Sequence, residues 1–268
     1  MSDYNATLVG RIDITPQLAI LRVKPDGGVP DFTPGQYAVL GLRSDAPRVP
    51  EASMDEEGPA SPDKMIKRAY SISSGSIQRD FLEFYVTLVT NGALTPRLFA
   101  MGPGERLFVG PRAKGMFTLE SVPMDANVLL VATGTGLAPY ISMLRTYVLE
   151  GEGRKMAVLQ GASYSWDLGY RGELEALSRV RANFAYIPVI SRPEGDPDWK
   201  GRTGRLPVWL ENPALAEVCG FPLSPPDTHV FLCGNPGMIE QAETLLTARG
   251  HVVGERQSVG TLHREKYW

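Results

Sequence analysis

The spacing of apolar and polar residues changes character part-way along the chain. In the first half, short apolar runs are separated by proline, glycine and aspartate, and little helical periodicity is present. Several short strands of this kind are typical of an antiparallel barrel. The predicted strands are residues 8–14, 18–23, 37–42, 69–73, 81–87 and 105–109. Residues 43–66, rich in proline and acidic side chains, predict a long exposed loop.

After a linker at residues 122–125 the pattern becomes an alternation of strands and helices. Such alternation indicates a parallel sheet with helices on both faces. The predicted strands are 128–132, 156–161, 184–189 and 230–233, and the predicted helices start at 139, 172 and 236. The fold class is therefore two-domain, with an antiparallel β-barrel over residues 1–122 and an α/β parallel-sheet (Rossmann-like) domain over residues 123–268.

Composition narrows the function classes. A chain of 268 residues has room for two modest domains, and its net charge of −3 provides no general attraction to nucleic acid. Two cysteines and three scattered histidines predict no disulfide framework and no metal site. Residues 1–20 lack the pattern of a secretory signal, and no apolar run reaches the ~20 residues that cross a bilayer. We expect a cytoplasmic monomer without a nucleic-acid or membrane partner.

The most informative stretch runs from Val128 to Pro139. Five apolar residues without alternation predict a strand buried on both faces, and Gly134-Thr-Gly136 then provides a tight turn into a helix. A helix N-terminus after such a turn is suited to an anion. An ordinary strand–helix connection is the alternative, because Pro139 stands where a Rossmann motif has its third glycine.

Two segments of the barrel half carry candidate ligand-binding residues. On a strand, Arg68 and Tyr70 share one face, where a guanidinium and a phenol could hold a phosphate and cover a flat ring. The alternative is a purely structural role, with a half-buried tyrosine in the barrel and an arginine at its rim. Further along, Thr95 precedes Pro96 and is predicted to be the N-cap of a short helix whose free N–H groups favour an anion.

Three motifs occur in a fixed order: Arg-x-Tyr-Ser at 68–71, Gly-Thr-Gly-x-x-Pro at 134–139 and Cys-Gly-Asn-Pro at 233–236, followed by a terminal Tyr-Trp. In this the chain resembles the ferredoxin–NADP⁺ reductase family, in particular its bacterial ferredoxin (flavodoxin) branch. The resemblance implies an FAD-binding barrel and an NADP(H)-binding second domain. It also implies hydride transfer from NADPH to flavin N5, then single-electron transfer to ferredoxin or flavodoxin.

The resemblance assigns residues to each cofactor. Arg68 would hold the flavin pyrophosphate, Tyr70 and Tyr267 would cover the two faces of the isoalloxazine, and Trp268 would pack on the FAD adenine. The remaining FAD contacts implied are Ala69, Ser71, Tyr85, Val86, Thr87, Leu88, Ala93, Leu94, Thr95 and Thr135. The NADP contacts implied are Ser163, Ser191, Arg192, Arg205, Asn235, Pro236, Gly237 and Gln241, with Arg202 as a helper.

The implied catalytic residues are Ser71 near flavin N5, Cys233 beside the nicotinamide, Glu265 as a proton relay or electrostatic helper, and Tyr267. Taken alone, such a cysteine is more often a buried strand-end thiol, because free cysteine behaves as a small hydrophobe. Lys67, Lys114, Arg264 and Lys266 are candidates for a basic rim that meets an acidic electron carrier.

The sequence also departs from the family pattern. Ser163 stands where the branch usually places a basic residue, which weakens the preference for NADP over NAD; the following Tyr164 could stack on adenine. Two alternatives therefore stay open: a same-fold NAD(P)H reductase that serves an oxygenase or another acceptor, and a flavin-bound non-enzymatic subunit.

Overall fold

The computed structural model describes residues 4–53, 64–148, 153–254 and 260–266. The chain divides into two compact units. The first comprises residues 1–118 together with 141–146, and the second comprises residues 119–140 and 147–268. The domain boundary expected after residue 122 stays a prediction.

The first unit is an antiparallel barrel. Its strands are β1 (Ala6–Thr15), β2 (Leu18–Pro25), β3 (Tyr37–Arg43), β4 (Met65–Ser71), β5 (Leu82–Thr87) and β6 (Arg106–Val109), and its helix is α1 (Thr95–Ala100). They form a six-stranded sheet in the order β4-β3-β6-β1-β2-β5. An antiparallel bridge between Ile72 and Phe84 joins the two ends of this order and closes the barrel.

The inward-facing side chains of these strands form the core of the barrel. Leu8, Leu21, Leu40 and Phe84 are all at most 1% exposed. Burial of such apolar surface is the main force that holds the strands together. The alternation seen in the sequence therefore corresponds to a barrel interior, as predicted.

Two details of the barrel differ from the prediction. Strand β4 begins at Met65 rather than at residue 69. The segment before it is not simply an exposed loop, because Ala46 and Val49 pack against the barrel core and the Val49 amide donates to the Pro96 carbonyl at 3.1 Å. This segment is therefore held both by the barrel core and by a backbone bond to α1.

A buried charge lies within the barrel unit. The Glu83 side chain on β5 is 1% exposed and meets two guanidinium groups: Arg22 Nε at 2.9 Å and Arg145 Nη1 at 2.6 Å. Arg145 also donates to the Ser73 carbonyl at 3.1 Å. Since a buried carboxylate is costly unless it is paired, the two arginines are what make this position tolerable.

The second unit is built on a fully parallel sheet, in the order β10-β9-β8-β7-β11-β12. The strands are β7 (Asn127–Thr133), β8 (Met156–Ala162), β9 (Phe184–Ile190), β10 (Arg202–Thr203), β11 (Thr228–Gly234) and β12 (Leu262–Lys266). The helices along this half are α2 (Ala138–Met143), α3 (Arg171–Val180), α4 (Leu206–Glu211), α5 (Ala214–Cys219) and α6 (Pro236–Ala248). The predicted two-domain fold class is confirmed.

The segment after β7 is more varied than the single helix expected from residue 139. Residues Gly134–Leu137 form a 3-10 turn, α2 follows, and Leu144–Val148 is π-helical. The short helices α4 and α5 and the strand β12 were not predicted. No helix in the described part of the chain is both long and apolar enough to span a membrane.

Strand β12 is held at the edge of the sheet by histidine contacts as well as by its backbone. The His263 ring stacks on Phe231 with centroids 4.1 Å apart, and its Nε2 lies 3.0 Å from His229 Nδ1. Burial, aided by the neighbouring His229, lowers the pKa of His263 to about 4. The pair is therefore neutral at physiological pH.

Candidate functional site

In the barrel unit, the candidate residues lie on a strand at one end of the sheet order. Arg68 and Tyr70 lie on β4, where they pair with Leu40 and Ala38 of β3, respectively. The Arg68 side chain is exposed and Nη1 donates to the Lys67 carbonyl at 2.9 Å. Ser71, at the end of the strand, is buried. This part of β4 thus presents a cation and a ring on one strand, and their role in binding a ligand stays a prediction.

The Tyr70 ring is half-buried against the barrel core. Burial raises the pKa of Tyr70 well above its ordinary value, and the nearby Arg68 guanidinium opposes this only in part. The phenol is therefore a neutral group with an apolar ring and one hydroxyl donor. Such a group is suited to lie against a flat heterocycle rather than to titrate.

Strand β5 carries a further set of the predicted flavin contacts. Tyr85 and Val86 are buried at 3% and 1% exposure, whereas Thr87 and the following Leu88 are half-buried. The change from buried to half-buried residues occurs where β5 leaves the barrel wall. Only the end of the strand is accessible to a ligand in the described structure.

The prediction that Thr95 caps its helix is wrong. The N-cap of α1 is Leu94, and Thr95 is already helical. The Thr95 hydroxyl instead accepts from the Val89 amide at 2.9 Å and contacts the Val89 carbonyl at 3.1 Å. The hydroxyl closes the loop that precedes the helix, so it is not directed at the first-turn amides. Ala93 and Leu94 are buried.

In the second unit, two turns far apart in the sequence meet at the carboxyl ends of β7 and β11. A Cβ on Gly136 would lie 2.4 Å from the Cys233 carbonyl oxygen and 2.7 Å from the Gly234 nitrogen. The Thr133 hydroxyl accepts from the Asn235 amide at 2.8 Å. The Gly-Thr-Gly and Cys-Gly-Asn-Pro motifs therefore form one backbone surface. The two turns can approach this closely only because residue 136 has no side chain.

The outer part of this surface is open. Gly134 is exposed with φ +54°, and a Cβ there would meet nothing within 4 Å. Asn235 is the N-cap of α6, where its side-chain oxygen accepts from the Met238 amide at 3.1 Å. A turn of exposed backbone beside a helix N-terminus is a suitable environment for a phosphate. Pro236 is half-buried, whereas Gly237 and Gln241 are exposed.

The loops after β8 and β9 lie side by side. The Arg192 amide donates to the Ser163 carbonyl at 3.1 Å, and the Ser191 amide donates to the Ala162 carbonyl at 2.9 Å. Tyr164 stacks on Trp166 with centroids 4.7 Å apart and an interplanar angle of 14°. The indole is 52% exposed. Sequence reasoning had noticed Tyr164 but missed Trp166, whose exposure beside a second aromatic ring is a tertiary feature.

The arginines of this region differ in their environments. Arg192 and Arg205 are both exposed. Arg202, predicted as a helper, lies on β10 with its guanidinium 5.7 Å from the centre of the Trp209 ring. Its cation–π contact with Trp209 gives Arg202 a packing role.

The end of the described chain forms β12, in parallel pairing with β11. Glu265 lies opposite Cys233 in this ladder, half-buried beside the fully buried cysteine. Arg264 pairs with Glu243, and Lys266 lies 3.0 Å from Glu240. Tyr267 and Trp268, assigned to the flavin by resemblance, lie outside the described residues.

The four cations expected to meet an electron carrier have different environments, and the basic rim stays a prediction. The ion pairs of Arg264 and Lys266 offset their charges, and Lys67 Nζ lies 4.0 Å from the centre of the Phe108 ring. Lys114 is exposed. Among the described residues, no group of three or more histidine, cysteine or acidic side chains is arranged to hold a metal ion.

Comparison with known proteins decides the family. The chain is 32% identical over 213 residues to the flavodoxin/ferredoxin–NADP reductase of Escherichia coli (strain K12), covering 79% of this chain and 77% of that protein. It is 37% identical over 203 residues to ferredoxin–NADP reductase B of Sorangium cellulosum (strain So ce56), covering 75% and 78% respectively. The chain belongs to the ferredoxin–NADP reductase family.

Two further comparisons agree with this family. Residues 130–244 match the model of the oxidoreductase NAD-binding domain. A ferredoxin NADP⁺ reductase from Neisseria gonorrhoeae, solved with bound FAD and NADP, shares the fold with a TM-score of 0.82 at 22% identity, over 100% of both chains. The family suggested by the three sequence motifs is confirmed, and the chain is an oxidoreductase.

Proposed function

We propose that this family member transfers electrons between NADPH and ferredoxin or flavodoxin, with FAD as its bound cofactor. The observation that carries the proposal is the joining of the Gly-Thr-Gly and Cys-Gly-Asn-Pro turns through the buried Gly136 into one backbone surface that is exposed at Gly134 and Asn235. The relatives from Escherichia coli and Sorangium cellulosum are ferredoxin–NADP reductases, which supports this acceptor and this coenzyme. A cytoplasmic location and a monomeric state stay predictions.

The barrel residues fit a ligand that combines phosphate and a flat ring. Arg68 offers an exposed guanidinium, which can bind a pyrophosphate through paired hydrogen bonds. Tyr70 offers a neutral ring with an apolar face, and Ala69 between them is small and exposed. In this proposal Ser71, Thr87 and Leu88 contact the ring system, Ala93, Leu94 and Thr95 lie by the phosphates, and Tyr85 and Val86 support the strand from within.

The second unit fits a dinucleotide. The open backbone at Gly134 admits a phosphate, while Asn235 holds the first turn of α6 in place. Arg192 and Arg205 would form charge-assisted bonds with a 2′-phosphate, and Ser163 and Ser191 would add hydroxyl contacts. Pro236, Gly237 and Gln241 complete the proposed set, and the Tyr164–Trp166 pair provides an aromatic surface for adenine.

When bound, the flavin would accept hydride from the nicotinamide and release electrons singly, which is chemistry that no protein side chain can supply. The protein's part is to bind, orient and shield. Ser71 would donate its hydroxyl hydrogen to the ligand, and Glu265 would hold a proton at its carboxylate beside Cys233. In the same proposal, Cys233 packs against the nicotinamide. The flavin is contacted by Thr135, Tyr267 and Trp268.

Purification and anaerobic titration test the proposal directly. We expect a yellow protein whose flavin absorbance bleaches on addition of NADPH. Arg192→Ala combined with Arg205→Ala should raise KM for NADPH at least about tenfold, since two charge-assisted contacts are lost, and change KM for NADH little. A colourless protein that does not take up FAD, or equal effects on the two coenzymes, contradicts the proposal.

The acceptor is tested separately. Reduction of ferredoxin and of flavodoxin is compared with reduction of an oxygenase component under the same NADPH supply. Faster reduction of the oxygenase component supports the alternative of an oxygenase-serving reductase. A flavin-loaded protein with no diaphorase activity supports the non-enzymatic alternative.

A further inference from the structure

The two loops that carry the proposed coenzyme contacts are locked to each other. Besides the bond from the Arg192 amide to the Ser163 carbonyl, the Ser165 amide donates to Asp196 Oδ2 at 2.7 Å. Asp196 is 4% exposed. Because β8 and β9 are neighbours in the sheet, these bonds fix the Ser165–Asp167 turn beside Arg192.

A second carboxylate, that of Asp167, lies on this turn. Its Oδ2 accepts from the Tyr164 amide at 3.3 Å, and its own amide donates to the Tyr164 carbonyl at 3.1 Å. The two bonds form a capping box that orients the side chain. Burial raises the pKa of Asp167, opposed by the bond from Tyr164 and by the charge of the Arg192 guanidinium. The Ser163–Tyr164 peptide thus bonds to the Arg192 amide through its carbonyl and to the Asp167 carboxylate through its N–H, which places this carboxylate close to the backbone of Arg192.

This neighbourhood is unfavourable for a 2′-phosphate. A carboxylate near Arg192 attracts the guanidinium that the phosphate needs, so the phosphate has to compete with it for this cation. The 2′-hydroxyl of NAD carries no charge, and carboxylates at strand ends of this kind accept a hydrogen bond from it. Ser163, at the end of β8, adds a hydroxyl but no positive charge.

We infer that Asp167 is a specificity-determining residue: its carboxylate opposes binding of the 2′-phosphate at Arg192, so that the enzyme discriminates only weakly between NADPH and NADH. This inference rests on the proposed function, because it concerns the coenzyme of that same site.

The test is Asp167→Asn in the flavin-loaded enzyme, with Kd measured by calorimetry for NADP⁺ and for NAD⁺, and kcat/KM measured for NADPH and for NADH with ferricyanide as acceptor. The asparagine oxygen can still accept from the Tyr164 amide, so the turn is kept. We expect the NADPH:NADH ratio to rise about three- to tenfold through a lower KM for NADPH, the size expected for one partly screened charge. Asp167→Ser, which also keeps an acceptor oxygen, should change the ratio in the same direction.

Two controls make the result specific. Glu194→Gln removes an equal charge from an exposed position on the 193–195 turn and should change the ratio less than about twofold. In an Arg192→Ala background, Asp167→Asn should have little further effect on the ratio. The inference is overturned if the ratio stays constant in both folded Asp167 variants, if Glu194→Gln shifts it equally, or if the shift persists without Arg192.

Failure of the proposed function gives a different result. A wild-type enzyme that oxidises neither coenzyme contradicts the proposed function itself. An active wild type with an unchanged ratio in the Asp167 variants contradicts only the role of Asp167.

Discussion

Gly136 and Gly134 belong to the same turn, but the structure predicts very different consequences for an alanine at each. At Gly136 the new Cβ would lie 2.4 Å from the Cys233 carbonyl oxygen, 2.5 Å from the Cys233 carbonyl carbon and 2.7 Å from the Gly234 nitrogen. Ordinary van der Waals contact begins near 3.4 Å, so this backbone must move away by about 1 Å. At Gly134 the same methyl group meets nothing within 4 Å.

The magnitudes follow from these contacts. Overpacking a well-packed site costs about 1–3 kcal/mol and occasionally more, and here the obstructing atoms are backbone of β11, which cannot rotate away. We expect Gly136→Ala to lower the free energy of unfolding of the second unit by about 3 kcal/mol or more. Gly134→Ala introduces only a left-handed φ of +54°, for which we expect a cost of about 1–2 kcal/mol.

Urea unfolding followed by circular dichroism, at equal protein concentration and with flavin bound, measures both costs. NADP⁺ binding by calorimetry adds a second measurement. Movement of the Cys233–Asn235 turn in Gly136→Ala should raise Kd for NADP⁺ at least about tenfold. If the two variants unfold at the same urea concentration, the packing of the two motifs has no energetic importance and the argument from Gly136 is refuted.

Two further predictions concern buried titratable groups. Glu83→Gln keeps the shape of the side chain but leaves Arg22 and Arg145 facing a neutral group. We expect it to lower the free energy of unfolding of the barrel unit by about 2–4 kcal/mol. An unchanged urea midpoint would contradict the buried ion pair. Because the pKa of His263 falls to about 4 on folding, the unfolded chain takes up protons first as the pH drops from about 6.5. The stability that this residue contributes is fully present above pH 6.5 and is lost progressively down to about pH 4. His263→Gln should flatten the pH dependence of the free energy of unfolding over that window. An unaltered slope would refute the assignment.

Several features of the fold could be predicted because their signals are local. The apolar run Val128–Ala132 is fully buried, as expected for an uninterrupted apolar strand of a parallel sheet. Helix α6 begins where the sequence predicted, because Asn235 and Pro236 together form a strong start signal. Motif order alone was sufficient to suggest the family.

Other features followed from packing. Thr95 precedes a proline in a sequence suited to an N-cap, yet its hydroxyl closes the loop to Val89, because the preceding chain turns back within its reach. Strand β12 contains three charged residues and a histidine among its five, and it is a strand because the edge of β11 supplies hydrogen-bond partners and α6 supplies Glu240 and Glu243.

The sequence by itself determined the two domain types, the motifs and the candidate residues on each strand end, since periodicity and turn chemistry depend on near neighbours in the chain. Only the tertiary structure decided that Gly136 packs on Cys233 and that the loops carrying Asp167 and Arg192 are hydrogen-bonded to each other. Such contacts arise from the order in which strands are laid side by side in the sheet. That order is selected by burial summed over the whole domain, and no short stretch of sequence encodes it.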